Sequence, residues 1–332
     1  MKAMLLSRPC PVEESPLEQT SLPAPIPGDG EVLLRVRACG ICHTDLHTVE
    51  GEISGKLPIV PGHQIVGVVE RVGANAGQIR AGDRVGVPWL RHTCNQCEFC
   101  KSGRENLCEQ AQFTGFHAHG GYAEYVTAPA AYAVHVPDGF DDVHAAPLLC
   151  AGIIGYRALR LSNVQPQQTI GLYGFGASAH IAMQIAAHWD CEVFVATRGA
   201  EHQRLARDLG AAWVGRAEEV PDNALHSAVI FAPAGPLVPE ALRALRKGGT
   251  LALAGIYMTP IPEMNYERLY HERMVRSVAN ATRDDARQLM ELAEEVPIRT
   301  DVQALPLEDA NRALLALKRS KIHGAGVLII GP

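Results

Sequence analysis

Thr169-Ile170-Gly171-Leu172-Tyr173-Gly174-Phe175-Gly176-Ala177-Ser178-Ala179, running on into Ile181-Ala182-Met183-Gln184-Ile185-Ala186, decides the architecture of the chain. The first five residues read as a strand and the run from Ile181 as a helix. Between them stands G-x-G-x-x-A, with Ala179 at the third glycine position. Gly174 and Gly176 permit a tight turn and close backbone approach, and Ala177 and Ser178 open a helix whose N-terminus favours a phosphate. A lone match of this kind is weak, but one that follows a strand and opens a helix reads as a dinucleotide pyrophosphate cradle.

Downstream, the strand-like Glu192-Val193-Phe194-Val195-Ala196 ends in Thr197-Arg198-Gly199, where an NAD-binding chain usually carries a carboxylate for the ribose. None is present. A hydroxyl at Thr197 and a forked guanidinium at Arg198 suit a 2'-phosphate, so NADP is favoured over NAD; the competing reading turns Arg198 to solvent or against adenine. Further units follow: a strand at Ala228-Val229-Ile230-Phe231, a helix from Pro239 to Leu245, a turn at Lys247-Gly248-Gly249 and a strand at Thr250-Leu251-Ala252-Leu253-Ala254. Such repetition predicts a doubly wound parallel sheet.

Upstream, from Met1 to about Pro137, the pattern is β-rich, with strand-like runs at Val32–Val36, Ile65–Val69 and Arg84–Val87 and no persistent helical period. Close punctuation by Pro and Gly favours a folded-over barrel with long loops over a parallel sheet. The tail returns to a helix from Leu307 to Lys318 and a strand at Gly326–Ile330.

The chemistry-bearing residues lie in this upstream half. Ala38-Cys39-Gly40-Ile41-Cys42-His43-Thr44-Asp45-Leu46-His47 gathers thiol, hydroxyl, carboxylate and imidazole, Pro61-Gly62-His63 follows, and Leu149-Cys150 lies far downstream. Two thiolates and one imidazole converging from these segments would leave zinc an open fourth position, the mark of a catalytic site. Cys39 competes with Cys42 as first ligand, its other reading being a small buried side chain within a strand. Cys94, Cys97, Cys100 and Cys108 form a second set, four soft ligands that suit a closed structural zinc; a redox dithiol is the alternative, against which stands the lack of a surrounding βαβ pattern. Trp89 is a pocket aromatic or a core residue, and His117 and His119 are further pocket candidates.

At 332 residues the chain exceeds one typical hydrophobic core, so two domains are expected. An apolar fraction of 47% and a charged fraction of 20% are those of an ordinary globular protein. A net charge of -6 without a long Lys/Arg run gives no electrostatic reason to expect nucleic acid or an anionic membrane, which leaves a small molecule as partner. The apolar run after Met1 is too short for a signal peptide and no stretch approaches a membrane span, so a cytoplasmic location is expected. Nine cysteines in such a chain read as metal ligands more readily than as disulfides, with Cys10 and Cys191 structural.

Taken together, these motifs resemble those of the zinc-dependent alcohol dehydrogenases of the medium-chain dehydrogenase/reductase superfamily, over essentially the whole chain. The resemblance implies a chaperonin-10-like partial β-barrel catalytic domain over residues 1–150, completed by 282–332, and a Rossmann cofactor domain over 151–281, with the active-site cleft between them. It implies two zinc ions per chain, a catalytic one on Cys42, His63 and Cys150 and a structural one on Cys94, Cys97, Cys100 and Cys108. Thr44 and His47 match the proton relay that runs through the nicotinamide ribose, and Asp45 matches the carboxylate that orients the ligating histidine. His43 matches a position near the pyrophosphate, Trp89 a substrate-pocket aromatic, and Arg283 a contact to the cofactor phosphates, with a helix-surface role as its competing reading.

Gln64 departs from the family, which usually carries Glu there, and so removes a charge near the metal. Cys150 favours the alcohol branch over the polyol branch, which usually has Glu, and the full ligand set argues against the zinc-free quinone reductases. The implied activity is reversible oxidation of a primary or simple secondary alcohol with NAD(P), by a homodimer or homotetramer. The rivals are reduction of formaldehyde or an aromatic aldehyde, and a zinc-stabilised binding protein without turnover.

Overall fold

The computed structural model describes residues 1–322 and 324–331, so that Pro332, the end of the expected closing segment, lies outside them. The chain divides into two compact units, one of Met1–Cys150, Thr282–Glu295 and Arg299–Pro332, the other of Ala151–Ala281 and Val296–Ile298.

The first unit is built on a seven-stranded sheet in the order Val302–Pro306, Ala325–Ile329, Glu31–Gly40, Gln64–Val72, Arg84–Val87, Val134–His135, with Tyr125–Pro129 also paired to Glu31–Gly40. The central strand Glu31–Gly40 owes its place to its side chains: Val32, Leu34 and Val36 bury against Ile65, Val69, Val85 and Val87, and Leu33 is buried as well. Each such side chain contributes about 1.5–3 kcal/mol on leaving water. Cys39 faces Ile65 and Gly40 faces Gln64 across the antiparallel pair. Residues leaving the end of one strand and entering the next at this register are neighbours, so Cys42 and His63 are brought to the same sheet edge.

A helix at His43–Glu50 lies in this half, where the sequence shows no persistent helical period. Its eight residues are about two turns, too few for an apolar period to register. Its start is fixed by Asp45, whose carboxylate accepts the Cys42 N–H at 2.9 Å, and its end by Gly51 at φ 78°.

The second unit carries a six-stranded parallel sheet in the order Trp213–Gly215, Glu192–Ala196, Thr169–Tyr173, Leu225–Ile230, Leu245–Leu253, Met274–Ser277. Numbered within the unit this is 3-2-1-4-5-6, the doubly wound order whose reversal opens a crevice beside the first strand. Thr169–Tyr173 is buried along its whole length, as a central parallel strand must be. The expected turn at Lys247–Gly249 lies instead inside the strand Leu245–Leu253, and the preceding helix is Leu237–Ala244. Among the described residues no helix is long and apolar enough to cross a membrane.

Candidate functional site

Cys42, His63 and Cys150 bring their donor atoms within 4.8 Å of one another. Cys42 is the residue before the helix His43–Glu50 and His63 follows Gly62, whose φ of 97° and close neighbours, Tyr122 and Cys39, leave no room for a Cβ. Cys150 ends the turn Ala146–Leu149, anchored by Leu149, which lies on the Cα of Gly86 so closely that a Cβ there would come within 2.4 Å of it. Cys42 Sγ and Cys150 Sγ are 3.9 Å apart. The Cys150 thiol and the His63 ring hold the Cys42 thiol well below its usual range, and Cys150 is pushed up in return. Burial opposes protonation of His63, but Asp45 and Cys42 outweigh it and raise the imidazole to about 10. This donor set, two sulfurs and one nitrogen with a buried carboxylate behind the imidazole, fits a zinc ion with an open position, and binding it releases the protons the three groups share.

Asp45 organises the set. Its Oδ1 accepts from His63 Nδ1 at 2.9 Å and from the Gly62 N–H at 3.2 Å, which leaves His63 Nε2 for a metal. Thr44 is buried, its hydroxyl 3.8 Å from Cys42 Sγ, and His47 lies one turn further along the same helix face, its Nδ1 against Glu52 Oε2. His43 is exposed at the start of the helix, its ring 6.4 Å from that of His47. Gln64 is buried over Gly40, where a Cβ would come within 2.8 Å of its amide carbon. Cys39 is no member of the donor set: it is fully buried between Gly62 and Gly121, and burial pushes its thiol up.

Trp89 meets the His63 ring edge-on at 4.9 Å, stacks on Phe113 at 4.9 Å and tilts against Phe116 at 5.7 Å. Phe113 and Phe116 extend an aromatic wall that sequence reading did not include, since neither carries a motif. His117 closes the wall against both phenylalanines, its Nδ1 accepting the Phe113 N–H at 3.1 Å. His119 is engaged similarly, accepting the Val60 N–H at 3.1 Å.

Cys94, Cys97, Cys100 and Cys108 form the second donor set, again within 4.8 Å. Backbone amides point at the sulfurs: Cys97 N–H donates to Cys94 Sγ at 3.3 Å and Cys94 N–H to Cys108 Sγ at 3.4 Å. Such donors from Gln96 and Cys97 bring Cys94 down to about 6, ready as a thiolate. Four sulfurs without an open position fit a structural zinc. Arg283, matched by resemblance to a contact with the cofactor phosphates, is engaged at this lobe: its guanidinium grips the buried Glu105 at 2.5 and 3.0 Å, reaches Asn95 at 3.2 Å and lies over the Tyr132 ring. A carboxylate already fills the fork that a phosphate would need.

In the second unit the helix Ala177–His188 begins at Gly176 with no side-chain cap, leaving the amides of Ala177 and Ser178 in its first turn open to an anion. Gly174 has φ 87° and a Cβ there would strike Ala232 at 2.8 Å, whereas the space beside Gly176 is open. The loop therefore fits a pyrophosphate. Thr197 is buried at the end of the next strand with its N–H on Gly215 C=O at 2.9 Å, and Arg198 is exposed. Arg216, which sequence reading missed, follows Gly215 and is also exposed, so two guanidiniums leave adjacent strand ends.

Residues 28–138 match the family described as alcohol dehydrogenase GroES-like domain, and residues 179–295 the family described as zinc-binding dehydrogenase. The chain is 47% identical to the "Probable alcohol dehydrogenase AdhA" of Mycobacterium tuberculosis, over 99% of this chain and 97% of that one. Among solved structures it is similar to a cobalt- and zinc-bound thermostable alcohol dehydrogenase from Pyrobaculum aerophilum, at 28% identity and a TM-score of 0.88 over 100% of this chain and 99% of that one. It is likewise similar to an NAD-dependent alcohol dehydrogenase, at 26% identity and a TM-score of 0.91 over 100% of both chains.

Proposed function

The chain belongs to the zinc-binding alcohol dehydrogenases with a GroES-like domain, and from that premise we propose that it interconverts a primary or simple secondary alcohol with its aldehyde or ketone, using NADP in preference to NAD. One observation carries the reading: Cys42, His63 and Cys150 converge beside Thr44 and His47, so that an open metal site and a proton acceptor share one helix start.

When bound, the zinc would supply Lewis acidity toward the substrate oxygen and the nicotinamide a hydride acceptor. Cys42, His63 and Cys150 would hold that zinc, and Asp45 keeps His63 in the Nδ1–H tautomer, which leaves Nε2 available as the ligand atom. The buried Thr44 hydroxyl accepts the alcohol proton and passes it outward, and His47, nearer solvent, receives it at Nε2. Trp89, Phe113 and Phe116 exclude water on one flank and favour a flat apolar substituent, which also keeps reduction of an aromatic aldehyde as a second reading. Gly174, Gly176, Ala177 and Ser178 would cradle the pyrophosphate and Thr197 and Arg198 the adenosine ribose, and the exposed His43 is the residue of the first unit that we assign to the pyrophosphate. Cys94, Cys97, Cys100 and Cys108 hold a zinc that stabilises their lobe.

A homodimer or homotetramer is supported by the edge strand Met274–Ser277, exposed along its length, and by the exposed Ile256, Tyr257, Tyr266 and Tyr270 near it in the chain. All nine cysteines are free, which suits a reducing compartment such as the cytoplasm. Metal analysis and an alcohol-oxidation assay test the function: two zinc ions per chain with turnover that Cys42→Ala abolishes are expected. Zinc-loaded protein that turns over no alcohol with either nicotinamide sinks the reading.

A further inference from the structure

Glu52, which the reaction above leaves without a part, closes the helix that carries Thr44 and His47. Gly51 donates its N–H to Thr48 C=O at 3.2 Å, and Glu52 donates its N–H back to His47 C=O at 2.9 Å. These two bonds around a left-handed glycine make a Schellman ending, which folds the residue after the glycine back toward the residue at the His47 position. The contact that usually joins those two positions is apolar; here it joins His47 Nδ1 to Glu52 Oε2. The His47 side chain is 17% exposed and that of Glu52 47%, so the imidazole stands inside and its carboxylate partner at the water's edge. The other charges flanking this helix are engaged elsewhere: Glu50 with Lys318 at 2.7 Å and with the Val12 N–H, and Lys318 also with Glu13.

We infer that Glu52 is a positioning residue for His47, an inference that rests on the dehydrogenase reading and deepens it. A carboxylate on Nδ1 retains the proton there, which leaves the lone pair on Nε2 as the acceptor. When Nε2 takes the substrate-derived proton, the carboxylate faces the cation that forms, and the proton then leaves from Nε2 to water, restoring the neutral ring. Without Glu52 that bias toward Nδ1–H is lost and the Nε2–H tautomer, which has no lone pair at Nε2, gains population.

The test pairs spectroscopy with kinetics on the full-length, zinc-loaded protein, comparing wild type with Glu52→Gln and Glu52→Ala. Ring nitrogen NMR, with the His47 signals assigned by loss in His47→Gln, reads the tautomer directly. The expected result is Nδ1–H in wild type and a shift toward Nε2–H in both variants, with unchanged thermal stability because the Schellman bonds use the backbone of Glu52. Alcohol oxidation should fall about tenfold in kcat with little change in KM, and added imidazole buffer should restore part of it. An unmoved tautomer, or an unmoved kcat in the presence of a moved tautomer, overturns the inference. If wild type itself oxidises no alcohol, the dehydrogenase reading fails, while the spectra still decide whether Glu52 sets the His47 tautomer.

Discussion

Asp45 Oδ1 accepts His63 Nδ1–H at 2.9 Å while Asp45 Oδ2 accepts the Cys42 N–H at 2.9 Å, so one buried carboxylate orients one metal ligand and fixes the backbone of another. The capping of a two-turn helix and the geometry of the candidate catalytic metal site are therefore a single structural fact. The Gly62 N–H, a third donor to the same side chain, extends it to the turn before His63.

Replacing Asp45 by Asn tests that link. An amide keeps the shape but loses the charge, and its NH2 group faces donors it cannot accept from. Loss of a carboxylate behind a ligating histidine typically weakens metal binding about 10- to 100-fold. Competition with a chelator, with zinc counted by metal analysis, should show the first zinc lost at correspondingly lower chelator concentration. Unchanged retention would mean that His63 keeps its orientation without Asp45.

Cys100→Ala should act on stability instead. It removes one of four sulfurs that surround a single point, and the lobe is tied to the rest of its unit through Arg283 and Glu105. The expected outcome is loss of one zinc per chain and a lower Tm, with kcat of the protein that remains folded close to wild type. A variant that keeps both zinc ions and its Tm would show that three sulfurs suffice.

His117 should make the protein acid-sensitive. Burial holds its imidazole below the usual histidine range, and Nδ1 is an acceptor for the Phe113 N–H, so a proton on Nδ1 would face another donor. The unfolded chain then takes up the proton first, at about pH 6.5, and stability declines as pH falls through that value toward the lower folded one. The contribution is whole above that window. Thermal melts of wild type and His117→Asn between about pH 7.5 and pH 5 should diverge on the acid side. Parallel curves would assign the acid loss elsewhere.

How legible these features were follows from how each is encoded. Gly174 to Ala179 and the set Cys94, Cys97, Cys100 and Cys108 announce themselves because turn geometry and metal coordination demand particular residue types at short, fixed spacings, whereas Cys42, His63 and Cys150 are spread over 108 residues and were joined by the resemblance. The 3-2-1-4-5-6 sheet is nearly as open, since each strand is an apolar run bounded by turns, though glycines inside Leu245–Leu253 imitated a turn. The helix at His43–Glu50 left too short a period, but Cys42 and Asp45 at capping-box spacing and Gly51 behind them carry its two ends. Phe113 and Phe116 had no such marker, because an aromatic wall is defined by what it touches in space. The ion pair of Arg283 was hidden for a related reason: its partner Glu105 lies 178 residues away in sequence. Resemblance supplied a role for the arginine without supplying the carboxylate that claims it.

Cofactor choice rests on the end of the strand Glu192–Ala196. A carboxylate at Thr197 would bind ribose hydroxyls and repel a 2'-phosphate; Thr197 instead offers a hydroxyl, and Arg198 beside it is exposed. Arg216 leaves the neighbouring strand end, whose Gly215 carbonyl binds the Thr197 N–H, so a second cation stands in the same neighbourhood. A hydrogen bond to a charged group contributes about 1.5–3 kcal/mol, on the order of 10- to 100-fold in an affinity ratio. Wild type should therefore show a higher kcat/KM with NADP than with NAD, and Arg198→Ala should lower that ratio by about tenfold, mostly through KM for NADP. Arg198→Ala with Arg216→Ala should lower it further, and Thr197→Asp should turn the preference to NAD by adding the repelling charge. A wild type that prefers NAD, with a ratio that Arg198→Ala leaves unmoved, would mean that the guanidinium points away from the ribose and that the missing carboxylate is merely tolerated.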